Sequence, residues 1–223
     1  MKQGILKNVS FIKTTNEKGS SRKIKSFKPG SANEIAPMNK MVEIMMEILY
    51  EKCDREMYHS AAVSKICAAI ASELGFDNQR VNKIRIAGIV HDIGKIGISG
   101  NILNKRSFKG DEWKEILKHP DIGYQMLRSI EGYSEIAKIV HEHHERWDGT
   151  GYPNNIKGGD ILIEARIITI ADAYDSMTSS KSYRRRINKN DAINEIRKCC
   201  GSQFDPDVAN IFIEKVLTKE NMM

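Results

Sequence analysis

His91, Asp92 and Lys95 stand together in His91-Asp92-Ile93-Gly94-Lys95, at the end of the mainly apolar run 84–90. An adjacent imidazole and carboxylate put two metal-binding groups side by side. A carboxylate has two oxygens and can bridge two divalent ions, which a single imidazole nitrogen cannot do. Asp92 is therefore the natural bridge. Lys95 lies four residues after His91 and three after Asp92, so on a helix continuing through it the ammonium projects to the ligand side, placed to meet a phosphate. The same pentapeptide would also serve as a plain helix end closed by Gly94 with polar groups at the surface. The rest of the chain decides between the two.

Six histidines are present: His59, His91, His119, His141, His143 and His144. Any one alone is more often an exposed or satisfied side chain than a ligand. Their company matters more. His59 opens an amphipathic stretch, His119 precedes Pro120 at a helix start, and the pair His143-His144 closes a helix before a Gly-rich loop. Asp172 falls in the apolar stretch 167–173, where an unpaired carboxylate would be costly and a metal or a cation would relieve it.

The elements that must position these residues read as helices. Met38, Met41, Val42, Met45 and Leu49 follow three-and-four spacing behind Pro37. Further helices are expected at 58–74, ending at Gly75, and at 78–92, 111–118, 121–128, 134–144, 164–179, 189–200 and 206–217. Residues 161–163 and 166–170 are the β-like runs, and the second continues unbroken into Ala171-Asp172-Ala173, which favours helix. The expected fold is one all-α helical domain over 37–223, with its metal site in the bundle core.

Charge separates a tail from this domain. Residues 1–28 hold eight Lys and Arg against the single acid Glu17, so the tail carries more than the whole net charge of +6. Residues 1–36 are therefore read as a basic, disordered or loosely attached tail, and neither a nucleic-acid partner nor a membrane partner is expected. No apolar run approaches the roughly 20 residues needed to span a bilayer, and the polar start lacks a signal-peptide core, so a cytoplasmic location is expected. The four cysteines, two of them adjacent at Cys199 and Cys200, follow neither disulfide-framework nor zinc-site spacing and read as reduced.

Four ordered blocks then resemble a known family: His91-Asp92-Ile-Gly-Lys95; His119-Pro-Asp-Ile-Gly123; His143-His144-Glu145-Arg-Trp-Asp148-Gly-Thr-Gly151-Tyr152-Pro153; and Ala171-Asp172-Ala-Tyr-Asp175-Ser-Met-Thr, with Tyr183-Arg184 after it. The chain resembles the HD-GYP domains, bacterial members of the HD metal-dependent phosphohydrolases that hydrolyse cyclic di-GMP, over about residues 37–218. The resemblance implies a first metal on His59, His91, Asp92 and Asp172, and a second on Asp92, His119, His143 and His144. Such mixed ligands suit iron or manganese better than zinc. It implies further phosphate contacts from Lys181 and Arg184, with Lys181 a departure from the family's usual Arg that loses the bidentate fork. Gly151, Tyr152 and Pro153 would shape the substrate groove, Tyr152 also facing a protein partner. Trp147 reads as a packing anchor, and Glu145 as an acceptor for a ligand imidazole N–H or a member of a surface ion pair. His141 is left over as an exposed helix residue.

Two ions implied in this way could share a water, lower its pKa and hold the hydroxide in line with phosphorus, with Asp92 and Lys95 as the catalytic side chains. The expected activity is a phosphodiesterase opening cyclic di-GMP to pGpG, with further cleavage to GMP left open. The alternatives are a catalytically weak binding module acting through a GGDEF-type cyclase or another signalling protein, as a homodimer or otherwise, and a hydrolase of another cyclic dinucleotide. Some members of the family bind a third ion through a Glu four residues before the first His ligand. That position is Arg55 here, and Glu56 is turned by about 100° from it on a helix, so a dinuclear site is expected.

Overall fold

A computed structural model describes residues 38–105, 107–179 and 186–220. The expected tail, Lys181 and Arg184 lie outside the described residues. The helices run in the order α1 (Lys40–Lys52), α2 (Asp54–Glu73), α3 (Asn78–Val90), a 3-10 turn (Ile93–Gly97), α4 (Gly100–Leu103), α5 (Asp111–Ile116), α6 (His119–Leu127), α7 (Ser134–Glu142), α8 (Ile163–Thr178), α9 (Lys189–Lys198) and α10 (Pro206–Ile211). A π-helical turn at Phe212–Val216 and a last turn at Leu217–Glu220 extend α10. Among the described residues there is no β-strand, and the fold is all-α as expected.

α2 is the spine. It packs along α3 on one side and α8 on another, while α6 lies against α7 and against the 3-10 turn. Its apolar residues Val63, Cys67, Ile70 and Ala71 are fully buried, and they meet a core that includes Ile84, Val90, Ile167, Ile168, Ile170 and Phe212. Ser64 Oγ donates to the Arg85 carbonyl at 2.9 Å, satisfying a hydroxyl at the α2–α3 contact. Side-chain caps fix the helix starts. Asn39 accepts from the Met41 amide, Asp77 from Arg80, and Asp205 from Asp207 and Val208 ahead of α10.

Three boundaries differ from expectation, each with consequences for the site. Cys53 is extended, at φ −151°, so α1 and α2 are separated by one residue and α2 begins at Asp54 rather than near 58. Glu56 and His59 consequently share one helix. α3 ends at Val90, and Asp92 (φ −97°, ψ 10°) opens a 3-10 turn rather than closing the helix. α6 starts at His119, with Pro120 in its first turn, rather than at 121. Helices α5, α7, α8 and α9 end one or two residues short of the sequence reading, as α7 does at Glu142, while the last helix with its π-helical turn continues to Glu220 rather than 217.

Candidate metal centre

The 3-10 turn accounts for the geometry around Asp92. Side chains three residues apart eclipse in a 3-10 helix, so Lys95 stands over Asp92 and its Nζ lies 2.6 Å from Asp92 Oδ2. The helical continuation assumed from sequence does not occur; the tighter turn brings the two groups together instead. Lys95 also lies 3.3 Å from each oxygen of Glu56, a side chain only 1% exposed that also meets Arg55 Nη2 at 3.1 Å.

The two oxygens of Asp92 face opposite ways. Oδ1 is 3.2 Å from His119 Nε2, while Oδ2 is 3.2 Å from His91 Nε2 and 3.9 Å from His59 Nε2. Donor atoms of Asp92, His119, His143 and His144 lie within 4.8 Å of one another, and so do those of His59, His91 and Asp172. Two helices and the ends of three others converge here. His59 comes from α2, His91 from the end of α3, His119 from the start of α6, His143 and His144 from just beyond α7, and Asp172 from α8.

Three of the rings are oriented through their other nitrogen by a backbone carbonyl. His91 Nδ1 bonds the Gly88 carbonyl at 2.9 Å, His119 Nδ1 the Ile116 carbonyl at 2.7 Å, and His143 Nδ1 the Val140 carbonyl at 2.6 Å. A backbone carbonyl requires Nδ1 to carry the proton, leaving Nε2 a lone pair aimed inward. His91 Nε2 is buried and makes no hydrogen bond. A buried nitrogen with a free lone pair beside carboxylates fits a cation, and by this test the residues present suit divalent metal.

Electrostatics divides the rings. Burial, followed by the neighbouring His144, His91 and His119, holds His143 well below the ordinary imidazole range. Burial and then His119 bring His144 down to about 3, and burial lowers His119 as well. These three are neutral, as ligands must be. His59 goes the other way. Burial opposes its charge, but hydrogen bonds with Asp172 and Asp175 outweigh it and raise the ring to about 10. Asp92 is kept well below the usual carboxylate range against the cost of burial by His91 and Lys95.

The loop after His144 closes one side. Gly151 is buried, and a Cβ there would sit 2.4 Å from the Arg146 amide nitrogen, so only glycine lets the chain double back so closely. Tyr152, ahead of a cis Pro153, lays its ring on His144 at 4.8 Å between centroids and 27° between planes. The residue expected to face a partner thus packs on an imidazole, while Thr150, Asn154, Asn155 and Lys157 are the exposed members of the loop. Glu145 accepts no ligand N–H. Its oxygens take the backbone amides of Asn154 at 2.7 Å and Ile156 at 3.1 Å. Arg166 stands over Trp147, 5.6 Å from the ring centroid.

His141 belongs to neither group: it bonds Asp121 Oδ1 at 2.8 Å and stacks on Tyr124. Sequence reasoning overlooks Asp175, whose Oδ2 is 2.6 Å from His59 Nδ1. The available signal is its position three residues after Asp172 on an apolar helix, hence on the same face. Burial of Glu56 against Lys95 is also missed, because the sequence pattern places the start of α2 after it.

Residues 43–208 match the family model described as HD domain. A cyclic di-GMP phosphodiesterase of Thermotoga maritima is 37% identical over 180 residues, covering 78% of this chain and 49% of that protein. A 3′3′-cGAMP-specific phosphodiesterase of Vibrio cholerae is 33% identical over 159 residues, covering 70% and 30% respectively. The chain thus spans half or less of the length of these relatives. The crystal structure of another V. cholerae cyclic GMP-AMP-specific phosphodiesterase superposes with a TM-score of 0.60 at 18% identity, over 80% of this chain and 50% of that one, a likeness of fold.

Proposed function

This chain belongs to the HD domain family, and on that premise we propose that it is a metal-dependent phosphodiesterase that opens cyclic di-GMP to pGpG. The observation that carries the reading is Asp92, one carboxylate with an oxygen turned to each of two groups of ligand atoms. Divalent ions held by His59, His91, Asp92 and Asp172 on one side, and by Asp92, His119, His143 and His144 on the other, would supply Lewis acidity and an activated water. Iron or manganese suits these mixed imidazole and carboxylate donors.

The remaining work falls to the chain itself. Asp92 fixes the spacing of the two subsites because its oxygens are joined through one carbon. Lys95 presents a half-buried ammonium beside Asp92, where it can meet a phosphoryl oxygen as negative charge grows on it. Glu56 and Asp92 keep that ammonium charged and in place. Gly151, Tyr152 and Pro153 form the loop wall of the substrate groove, and Lys181 and Arg184 would extend the phosphate-binding surface. Engagement of Glu56 by both Arg55 and Lys95 supports the dinuclear reading, since a third metal ion held by Glu56 would have to displace those two side-chain cations. This favours release of pGpG over rapid cleavage to GMP.

The test is incubation of purified protein with cyclic di-GMP and with 3′3′-cGAMP, a substrate suggested by the names of its relatives, under reducing conditions with and without Mn²⁺ or Fe²⁺. Metal-dependent appearance of pGpG from the wild type is expected, at least 1,000-fold slower (about 4 kcal/mol) in Asp92→Ala. Equal rates for the two proteins would refute the assignment. Preferential cleavage of 3′3′-cGAMP would keep the chemistry and change the substrate.

A further inference from the structure

The two subsites are supported in different ways. Behind His91, His119 and His143 stands a neutral backbone carbonyl from the residue three positions earlier. Behind His59 stands a carboxylate, Asp175, at 2.6 Å from Nδ1, while Asp172 Oδ1 lies 3.1 Å from Nε2 of the same ring. Asp172 and Asp175 are successive acids on one face of α8, and α8 packs directly on the helix that bears His59. The imidazole is therefore gripped at both nitrogens by one rigid element.

Charge is also uneven. The His119, His143 and His144 group contains a single carboxylate, the shared Asp92. The His59, His91 and Asp172 group has its own carboxylate, the other oxygen of Asp92, and Asp175 behind His59. Lys95 lies on this same side, 2.6 Å from Asp92 Oδ2 and 3.3 Å from each oxygen of Glu56, which Arg55 also meets, so that with Asp92, Asp172, Asp175 and Glu56 the carboxylates here still outnumber these two cations. An anion on Nδ1–H makes Nε2 a stronger donor and fixes its direction, and loss of such support typically costs about 10- to 100-fold in metal affinity. Hard divalent ions further favour the subsite richer in carboxylate.

We propose that Asp175 is a positioning residue that makes the His59–His91–Asp172 subsite the first to take up a divalent ion, leaving the three-imidazole subsite to fill second. The proposal rests on the two-subsite reading above and adds an order to it.

The test is an equilibrium titration of metal-free protein with Mn²⁺, following free Mn²⁺ by its electron paramagnetic resonance signal. Wild type should show a tight class and a weaker class of one ion each. Asp175→Asn should weaken the tight class by about 10- to 100-fold and leave the other unchanged, and Asp175→Glu should recover part of the loss. His144→Ala should abolish the weaker class and keep the tight constant, which decides the matter alone should Asp175→Asn not fold. Two classes unaltered by Asp175→Asn, or retention of only the weak constant in His144→Ala, would overturn the order while leaving the phosphodiesterase reading intact. A wild type that takes up no Mn²⁺ would overturn both.

Discussion

One wall of the centre is built of helix ends and the other of a loop, yet both are held tightly, by different means. On the helical side, His91, Asp92 and His119 are brought together because two backbones nearly touch. A Cβ on Gly94 would fall 1.9 Å from the His119 carbonyl oxygen and 2.6 Å from the Gly123 nitrogen. On the loop side, residues 146–158 have little regular structure, and the amides of Asn154 and Ile156 find their acceptor in Glu145, a carboxylate 1% exposed. The amides of Trp147 and Asp148 are taken by the carbonyls of Gln203 and Ser202. The helical wall is fixed by the absence of a side chain at Gly94; the loop wall shares that device at Gly151 but adds to it a buried carboxylate. Rigidity therefore depends on the satisfaction of backbone groups rather than on helix content.

The strongest way to break this contrast is Gly94→Ala. The added carbon meets backbone, which no rotamer change can relieve, so α6 must move and carry His119 with it. A loss of about 4 kcal/mol or more is expected, on the order of 10 °C or more in Tm, with reduced Mn²⁺ uptake. A Tm within about 3 °C of wild type, equivalent to no more than roughly 1 kcal/mol, would show that the close approach is not what positions His119.

Glu145→Ala should cost less, about 3 kcal/mol, since two charge-assisted hydrogen bonds are lost and two amides are left without an acceptor. Its effect should also be local. Hydrogen exchange should accelerate at Asn154 and Ile156 while the amides of α3 keep their protection; uniform acceleration would mean that the loop is part of the core. Glu145→Gln, which retains one good acceptor, should fall between the two.

The smallest effect concerns Asp148 at the loop's turn. Hydrogen bonds from the Arg146 guanidinium and then from Thr150 lower its carboxyl to about 2. A folded-state pKa below the unfolded value of 3.8 means that the stabilisation is fully present above pH 3.8 and disappears as the pH falls through about 2. The Tm advantage of wild type over Asp148→Asn should therefore shrink across that window. A difference that stays constant down to about pH 2 would remove the ion pair from the account. The group is largely solvated, so the shift should be slight.

Helical periodicity makes the all-α fold readable, because apolar spacing leaves a local signature, whereas the composition of the two ligand groups comes from the resemblance of the four ordered blocks to a family. The break at Cys53 leaves no such signature. No glycine or proline marks it, so the sequence pattern starts α2 after Glu56 and gives no sign of that residue's contact with Lys95. The 3-10 turn at Ile93–Gly97 is hidden for a related reason, since Gly94 signals a helix end without indicating the conformation of the residues around it. Asp175 and Glu145 are visible as residues but not in their roles: the first acts on a ring from a helix far away in sequence, and the second on amides that carry no side-chain signal. Lys181, Arg184 and the basic tail lie outside the described residues.

The bond between His59 and Asp175 joins residues 116 positions apart. Apart from the adjacent pairs His91-Asp92 and His143-His144 the ligands are far apart in sequence, so the centre can form only after most of the chain from α2 to α8 has collapsed and its loop-closure entropy has been lost. Metal capture should then be a late event in folding, and fraying at the chain ends should leave the ions undisturbed. The rate at which bound metal exchanges with a chelator would report how often the whole α2–α8 assembly opens, making the centre a built-in clock for sub-global unfolding.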